Sequence, residues 1–222
     1  MGISERRERE KIERRKAILD CARELIMLEG VQRVSMEDIA RRAELSKATV
    51  YLYFSSKDIL LNEICEESAR AFLERFRPFM STGLTGLKAL KCFWRGYVEL
   101  FGYSEEMLIV FQVRNFINSA LPIFPLKEQD KSPSVNAILD AMKALIEQCK
   151  DEGVFDPGLD SSLATGLLLS IFSVIMENAP RIPTEVRKSP VLIEEMTRIF
   201  QLILFGFARE GIDRSCLDIT AA

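Results

Sequence analysis

Apolar residues in this chain recur at intervals of three and four nearly throughout, and no run alternates convincingly with period two. That spacing restricts the fold to packed helices. Ile18, Cys21, Ala22, Leu25 and Leu28 predict one face of a first helix, with Gly30 at its C-terminal stop. Ser35-x-x-Asp38 then reads as a capping box opening a short helix that buries Met36, Ile39, Ala40 and Ala43. Glu44-Leu45-Ser46 breaks the pattern, and Ser46 can cap a third helix. A fourth helix starts near Ser56 and keeps its period to Phe76, where Pro78 stops it.

From Ser81 the chain becomes more apolar, with Gly83 and Gly86 flanking a link. Longer helices are predicted near Leu84–Gly102, Ser104–Ser119, Pro133–Glu152, Asp160–Asn178 and Pro190–Glu210. Ser104, Ser132 and Ser189 are candidate N-caps, Pro133 and Pro190 suit the first helical position, and Gly153 and Gly211 suit the position after the last turn. The fold class is therefore all-α, a small three- or four-helix head followed by a larger helical body.

Several chemistries are closed to such a chain. It contains no histidine, which removes Ser-His and Cys-His nucleophile pairs and any zinc site that needs imidazole. Cys21, Cys65, Cys92, Cys149 and Cys216 stand singly, without a C-x-x-C pair, and read as free thiols of a reducing compartment. Neither a phosphate-binding G-x-x-x-x-G-K-[ST] nor a dinucleotide-binding G-x-G-x-x-G occurs, so no enzyme, metal or cofactor is expected. The N-terminus is charged, unlike a signal peptide, and the most apolar stretch, Leu163–Met176, is too short for a bilayer of about 30 Å. A cytoplasmic location with no membrane partner follows as the expectation.

Charge divides unevenly. Residues 1–60 carry 13 Lys and Arg against 11 Asp and Glu, whereas residues 61–222 carry 17 against 22. Glu5–Lys16 holds seven basic and four acidic residues, which suits a solvated helix laced with i,i+4 pairs, or else an arm that seeks phosphate.

The stretch Ser46-Lys47-Ala48-Thr49-Val50-Tyr51-Leu52-Tyr53-Phe54 carries the strongest functional signal. As a helix it turns Val50 and Phe54 inward, while Lys47, Thr49, Tyr51 and Tyr53 occupy the remaining faces. Two short helices with a three-residue turn, the second wearing basic and hydroxyl groups, fit the helix-turn-helix that docks in a DNA major groove. Lys47 can reach a phosphate or guanine, Thr49 a phosphate or thymine methyl, and the tyrosines phosphate oxygens; Ala48 permits close approach, and Lys57 adds a cation at the next helix start. On spacing alone, an αα-hairpin whose tyrosines rim a core remains open.

Val34 to Leu60, including Asp38-Ile39-Ala40, Ser46 and Thr49-x-Tyr51-x-Tyr53-Phe54 followed by Lys57, resembles the DNA-binding domain of the tetracycline-repressor (TetR) family. The likeness extends back through Ala17–Leu25 and Glu29-Gly30-Val31. It departs at Glu44 and Ala48, where that family often has glycine. The resemblance implies a homodimeric transcriptional repressor, each head reading half of a near-palindromic double-stranded operator. It implies a DNA-binding domain over residues 1–60, with a charged arm over 1–16, and an effector-binding and dimerisation domain over 61–222. Lys47, Ala48, Thr49 and Tyr51 would face the groove, Ser35, Ser46, Tyr53 and Lys57 would hold phosphates, and Ile39, Val50 and Phe54 would be core.

The body is read from its residues. Phe93, Trp94, Tyr97, Phe101, Met107, Phe111 and Phe116 cluster along residues 93–116. Ordinary core packing accounts for the spacing; the functional alternative is an effector cavity lined by Trp94, Tyr97, Phe101, Met107, Phe111 and Phe116, oriented by Arg114, Asn115 or Asn118. Without an acidic set facing them, a neutral or anionic apolar effector is favoured over a cation. Gly166, Ser170 and Ser173 form a small-residue stripe that suits close packing within the subunit or a four-helix dimer interface, and the family resemblance points to the dimer, together with the last helix. A helical protein-interaction module and a bundle enzyme are the rival readings; salt-dependent DNA retention separates the first from a regulator.

Overall fold

The computed structural model describes residues 3–77, 83–103, 105–118, 132–179 and 182–219. Helix α1 (Ile3–Glu29) is followed by α2 (Met36–Arg42), α3 (Lys47–Tyr53) and α4 (Lys57–Phe76). The body comprises α5 (Gly86–Tyr103), α6 (Glu105–Asn118), α7 (Pro133–Asp151), α8 (Ser161–Asn178), α9 (Thr184–Arg187) and α10 (Pro190–Phe207), then a 3-10 turn at Arg214–Leu217. The charged run Glu5–Lys16 is the first half of α1, its side chains largely in solvent and Arg6 paired with Glu10 at 2.8 Å.

Local chemistry sets most helix ends. Ser35 and Asp38 form both halves of a capping box, and Ser46, Ser56, Ser132 and Ser189 each accept a hydrogen bond from the backbone N–H three residues on. Gly30 and Gly153 end α1 and α7 in the left-handed region, at φ +84° and +71°. Pro78 and Ser104, expected to stop and start helices, lie outside the described residues.

Four expectations are corrected. Leu28 is 75% exposed, and Leu19 and Ile26 take the inner face of α1 with Ile18, Ala22 and Leu25. Ten residues fall about 80° short of a whole number of turns, so Leu28 has rotated off the stripe. Gly86 is no linker residue: it opens α5 against α7, where a Cβ would stand 2.8 Å from the Cys149 backbone nitrogen. Helix α10 ends at Phe207 rather than Glu210, because Ala208 forms a bridge with Phe155. Gly211, φ +83°, accordingly belongs to the turn beyond, and α9 and the 3-10 turn were unforeseen.

Two apolar cores result. One unites α1–α4 with Ile109, Val110, Val113 and Val135 of the body. The other is built on Trp94, Tyr97, Phe172 and Phe200, with Trp94 stacked on Phe200 at 4.5 Å and Tyr97 on Phe172 at 4.3 Å. Helix α4 contributes Leu60, Leu61, Ile64, Cys65 and Ala69 to the first core and Phe72 to the second, so residue 60 lies inside a helix that both parts share.

Candidate nucleic-acid interface

Val50 and Phe54 are fully buried, as are Ile39 and Leu60 beside them in the head core. Their inward pull fixes the rotation of α3 and leaves Lys47, Ala48, Tyr51 and Leu52 exposed, with Thr49 and Tyr53 half-buried. The Ser46 hydroxyl accepts from the Thr49 N–H at 3.1 Å and shares a hydrogen bond with the Thr49 hydroxyl at 2.8 Å. The turn between α2 and α3 requires Glu44 at φ 55°, a conformation that glycine adopts without cost and glutamate does not.

Charges on this face are paired within the protein. The Lys47 ammonium donates to Glu37 of α2 and lies 5.8 Å from the Tyr51 ring centre. That hydrogen bond raises the pKa of Lys47 and lowers that of Glu37. Behind the face, Arg15 donates to Glu63 and to the Tyr53 carbonyl, with its guanidinium 4.4 Å from the Phe54 ring centre. Arg23 bridges Asp20 and Glu67, so α1 is pinned to α4 at two levels. Lys47, Arg15 and Arg23 are therefore structural ties rather than free cations.

Residues 18–64 match the model of the bacterial regulatory proteins, tetR family. That segment is a DNA-binding domain of the TetR type. The fatty acid metabolism regulator protein of Bacillus subtilis is 24% identical over 151 residues, 68% of this chain and 75% of its own. The transcriptional repressor KstR2 of Mycobacterium tuberculosis is 24% identical over 154 residues, 68% and 73% of the two chains. AibR, solved in complex with isovaleryl coenzyme A and operator DNA, shares the fold at a TM-score of 0.57 and 21% identity, over 82% of this chain and 95% of that one. These relatives are transcriptional regulators, and the solved structure shares their fold.

Lys57 sits differently from the expectation of a phosphate-facing cation. Its ammonium donates to the Val31 carbonyl at 2.8 Å and lies 4.7 Å from the centre of the Phe116 ring on α6. Burial lowers its pKa. Ser35 likewise spends its hydroxyl on the capping box.

In the body of this TetR-family fold the aromatic cluster divides. Tyr97 and Arg114 line a cavity of about 30 Å³, with Phe72 of α4, Phe93, Val110, Val135, Ile138, Leu139, Leu169 and Phe172 completing its wall. Phe101 is packed core and gives its carbonyl to Arg187; Phe116 covers Lys57. Trp94 stacks inside the body core, its indole N–H donated to Thr197 at 3.1 Å, and edges an open groove of about 600 Å³ between α5, α9 and α10. Burial holds the Tyr97 phenol well above its ordinary pKa, and its hydroxyl donates to the Phe172 carbonyl at 3.2 Å. The side chains of Met107, Phe111, Asn115, Asn118 and Ser173 lie outside the described part of the structure.

Ser170 is buried and donates to the Gly166 carbonyl at 2.8 Å. Around these two, Leu163, Leu167 and Val174 of α8 are 40–52% exposed, and α10 exposes Val191, Ile199 and Leu202. Sequence reading found the small residues and missed the exposed apolar ones beside them, whose spacing of four and seven was the available signal. Among the described residues no helix is long and apolar enough to cross a membrane, and no group of side chains could hold a metal ion.

Proposed function

We propose that this chain is a homodimeric, ligand-responsive repressor of the cytoplasm that binds a near-palindromic operator through α3. The observation that carries the reading is the solvent-facing surface of α3, where Lys47, Ala48 and Tyr51 are exposed and Thr49 is half-buried while Val50 and Phe54 are fully buried. Lys47 exchanges Glu37 for a phosphate or a guanine edge, and the tyrosine hydroxyls donate to phosphates. Ser35 and Ser46 act by fixing the helix starts whose backbone N–H groups face the DNA backbone, and Tyr53 by its half-buried ring. Lys57 serves as a tie between the α1–α2 turn and α6, available to phosphate only after leaving Val31. The repressor assignment draws on the likeness to the repressor KstR2, and operator binding on the likeness to AibR, solved on operator DNA.

Residues 1–60 act as the reading head and 61–222 as the effector and dimerisation body, with α4 common to both. The effector is apolar, neutral or anionic: it enters where Tyr97 and Arg114 meet the cavity, which must widen to hold it. Relatives named for fatty acids and complexed with an acyl coenzyme A favour that class. Dimers form through the exposed apolar rows of α8 and α10, flanking Gly166 and Ser170 with Ser173 in the same stripe. The test is retention of duplexes from a random-sequence DNA library at increasing salt. A regulator gives sequence-selected duplexes whose log affinity falls linearly with log[salt]. Retention of no duplex at low salt would refute the proposal and leave the protein-interaction module.

A further inference from the structure

The part of α3 farthest from the head core is not its charged part. At about 100° per residue, Ala48 and Leu52 stand roughly opposite the direction in which Val50 and Phe54 enter the core. Lys47 and Tyr51 flank this pair on one side, Thr49 and Tyr53 on the other. Leu52 is 85% exposed, more than any other large hydrophobic residue among those described, and it belongs to neither apolar core. A single exposed leucine is ordinary on a protein surface. Here it forms the crest of a helix whose flanks are cationic and hydroxylic, and Ala48, one turn earlier, is too small to hold a partner surface away from it.

A helix crest that enters a major groove meets base edges before phosphates. The edges present hydrogen-bonding groups and one apolar group, the C5-methyl of thymine. Leu52 has no donor or acceptor, so an edge of amines and carbonyls would be desolvated against it without compensation. We infer that Leu52 reads a thymine methyl in each operator half-site, with Ala48 setting the depth of approach. The inference rests on the proposed operator-binding role of α3 and adds the base chemistry that the helix selects.

The experiment uses the full-length chain and the duplexes it selects from a random-sequence library. Thymines common to those duplexes are replaced one at a time, in one half-site, by deoxyuridine, which lacks only the methyl. At one position the wild-type chain is expected to bind about three- to fivefold more weakly, the loss for one buried methyl. Leu52→Ala is expected to bind the thymine duplex more weakly and to bind both duplexes equally, while Leu52→Met, still apolar at its tip, keeps the discrimination. Indifference to deoxyuridine at every position would overturn the inference, as would a Leu52→Ala chain that discriminates like the wild type. Selection of no duplex at all would overturn the operator reading beneath it, so the two failures are distinguishable.

Discussion

Glu66→Gln tests how α4 is fastened to the body. The Glu66 carboxylate accepts from the Ser132 hydroxyl at 2.6 Å, the Ser134 hydroxyl at 2.6 Å and the Ser134 N–H at 3.1 Å, tying α4 to the first turn of α7. Hydrogen bonds to a charged acceptor contribute about 1.5–3 kcal/mol each when well shielded. This site is only part-buried and glutamine keeps one acceptor oxygen, so we expect a net loss of about 1–2 kcal/mol, well below the sum of three such bonds. With a urea m-value of about 3 kcal/mol/M, the unfolding midpoint should fall by roughly 0.3–0.7 M at equal protomer concentration. The pH dependence adds an independent check. Burial alone would raise the Glu66 pKa, but the bonds from Ser132 and Ser134, with Arg70 nearby, outweigh it and hold the value below the ordinary one. A depressed folded pKa means the stabilisation is complete above the unfolded value of about 4.3 and disappears as pH falls through the folded one. The difference between wild type and Glu66→Gln should therefore be full at pH 7 and shrink below about pH 4. Equal midpoints at pH 7, or a gap that persists undiminished in acid, would refute the reasoning.

Three further outcomes concern the faces already described. Glu37→Gln removes both the Lys47 partner and a negative charge near the DNA backbone, so affinity measured by fluorescence anisotropy should rise several-fold and most at low salt. Lys57→Met should lower stability by about 1 kcal/mol through the lost Val31 bond and ring contact while leaving the salt slope of DNA binding unchanged; a slope reduced by about one would show that the ammonium reaches phosphate. Leu202→Glu places a charge on the exposed apolar row of α10, and sedimentation should show monomers, whereas an intact dimer would move the interface elsewhere.

The parts of the fold legible in the sequence are those that local chemistry decides. Ser35, Ser46, Ser132 and Ser189 cap helices because a hydroxyl three residues ahead of an orphan N–H does so wherever it stands. Val50 and Phe54 were readable as core from a spacing of four. What stayed hidden depends on partners far along the chain. Nothing near Lys57 in sequence announces Val31 or Phe116, and nothing near Phe207 announces that Phe155 will end the helix there. The cavity illustrates the same limit. Its wall takes residues from α4 to α8, so a local aromatic cluster could reveal Tyr97 but not Phe72, Val135 or Leu169.

That distribution of wall residues also states how an effector would reach the DNA. Phe72 belongs to the helix that begins with Lys57 at the base of the head, and Val135 directly follows Ser134, a Glu66 donor. A cavity of about 30 Å³ is far smaller than the roughly 300–1,000 Å³ of a ligand pocket, so an effector has to part α4 from α7 to enter. Parting them strains the Glu66 tie and tilts α4, which in the proposed dimer changes the spacing of the two heads relative to half-sites about 34–36 Å apart. A preference of about 1–3 kcal/mol for the parted state gives a 5- to 150-fold loss of DNA affinity, and linkage requires the DNA to weaken the effector by the same factor. The apolar anion 8-anilinonaphthalene-1-sulfonate is a suitable probe: its affinity, measured with and without saturating selected duplex, should fall by that factor, and Leu169→Glu, which charges the wall, should abolish the tight site. Identical affinities in the two titrations would show that the cavity is packed core with no link to the head.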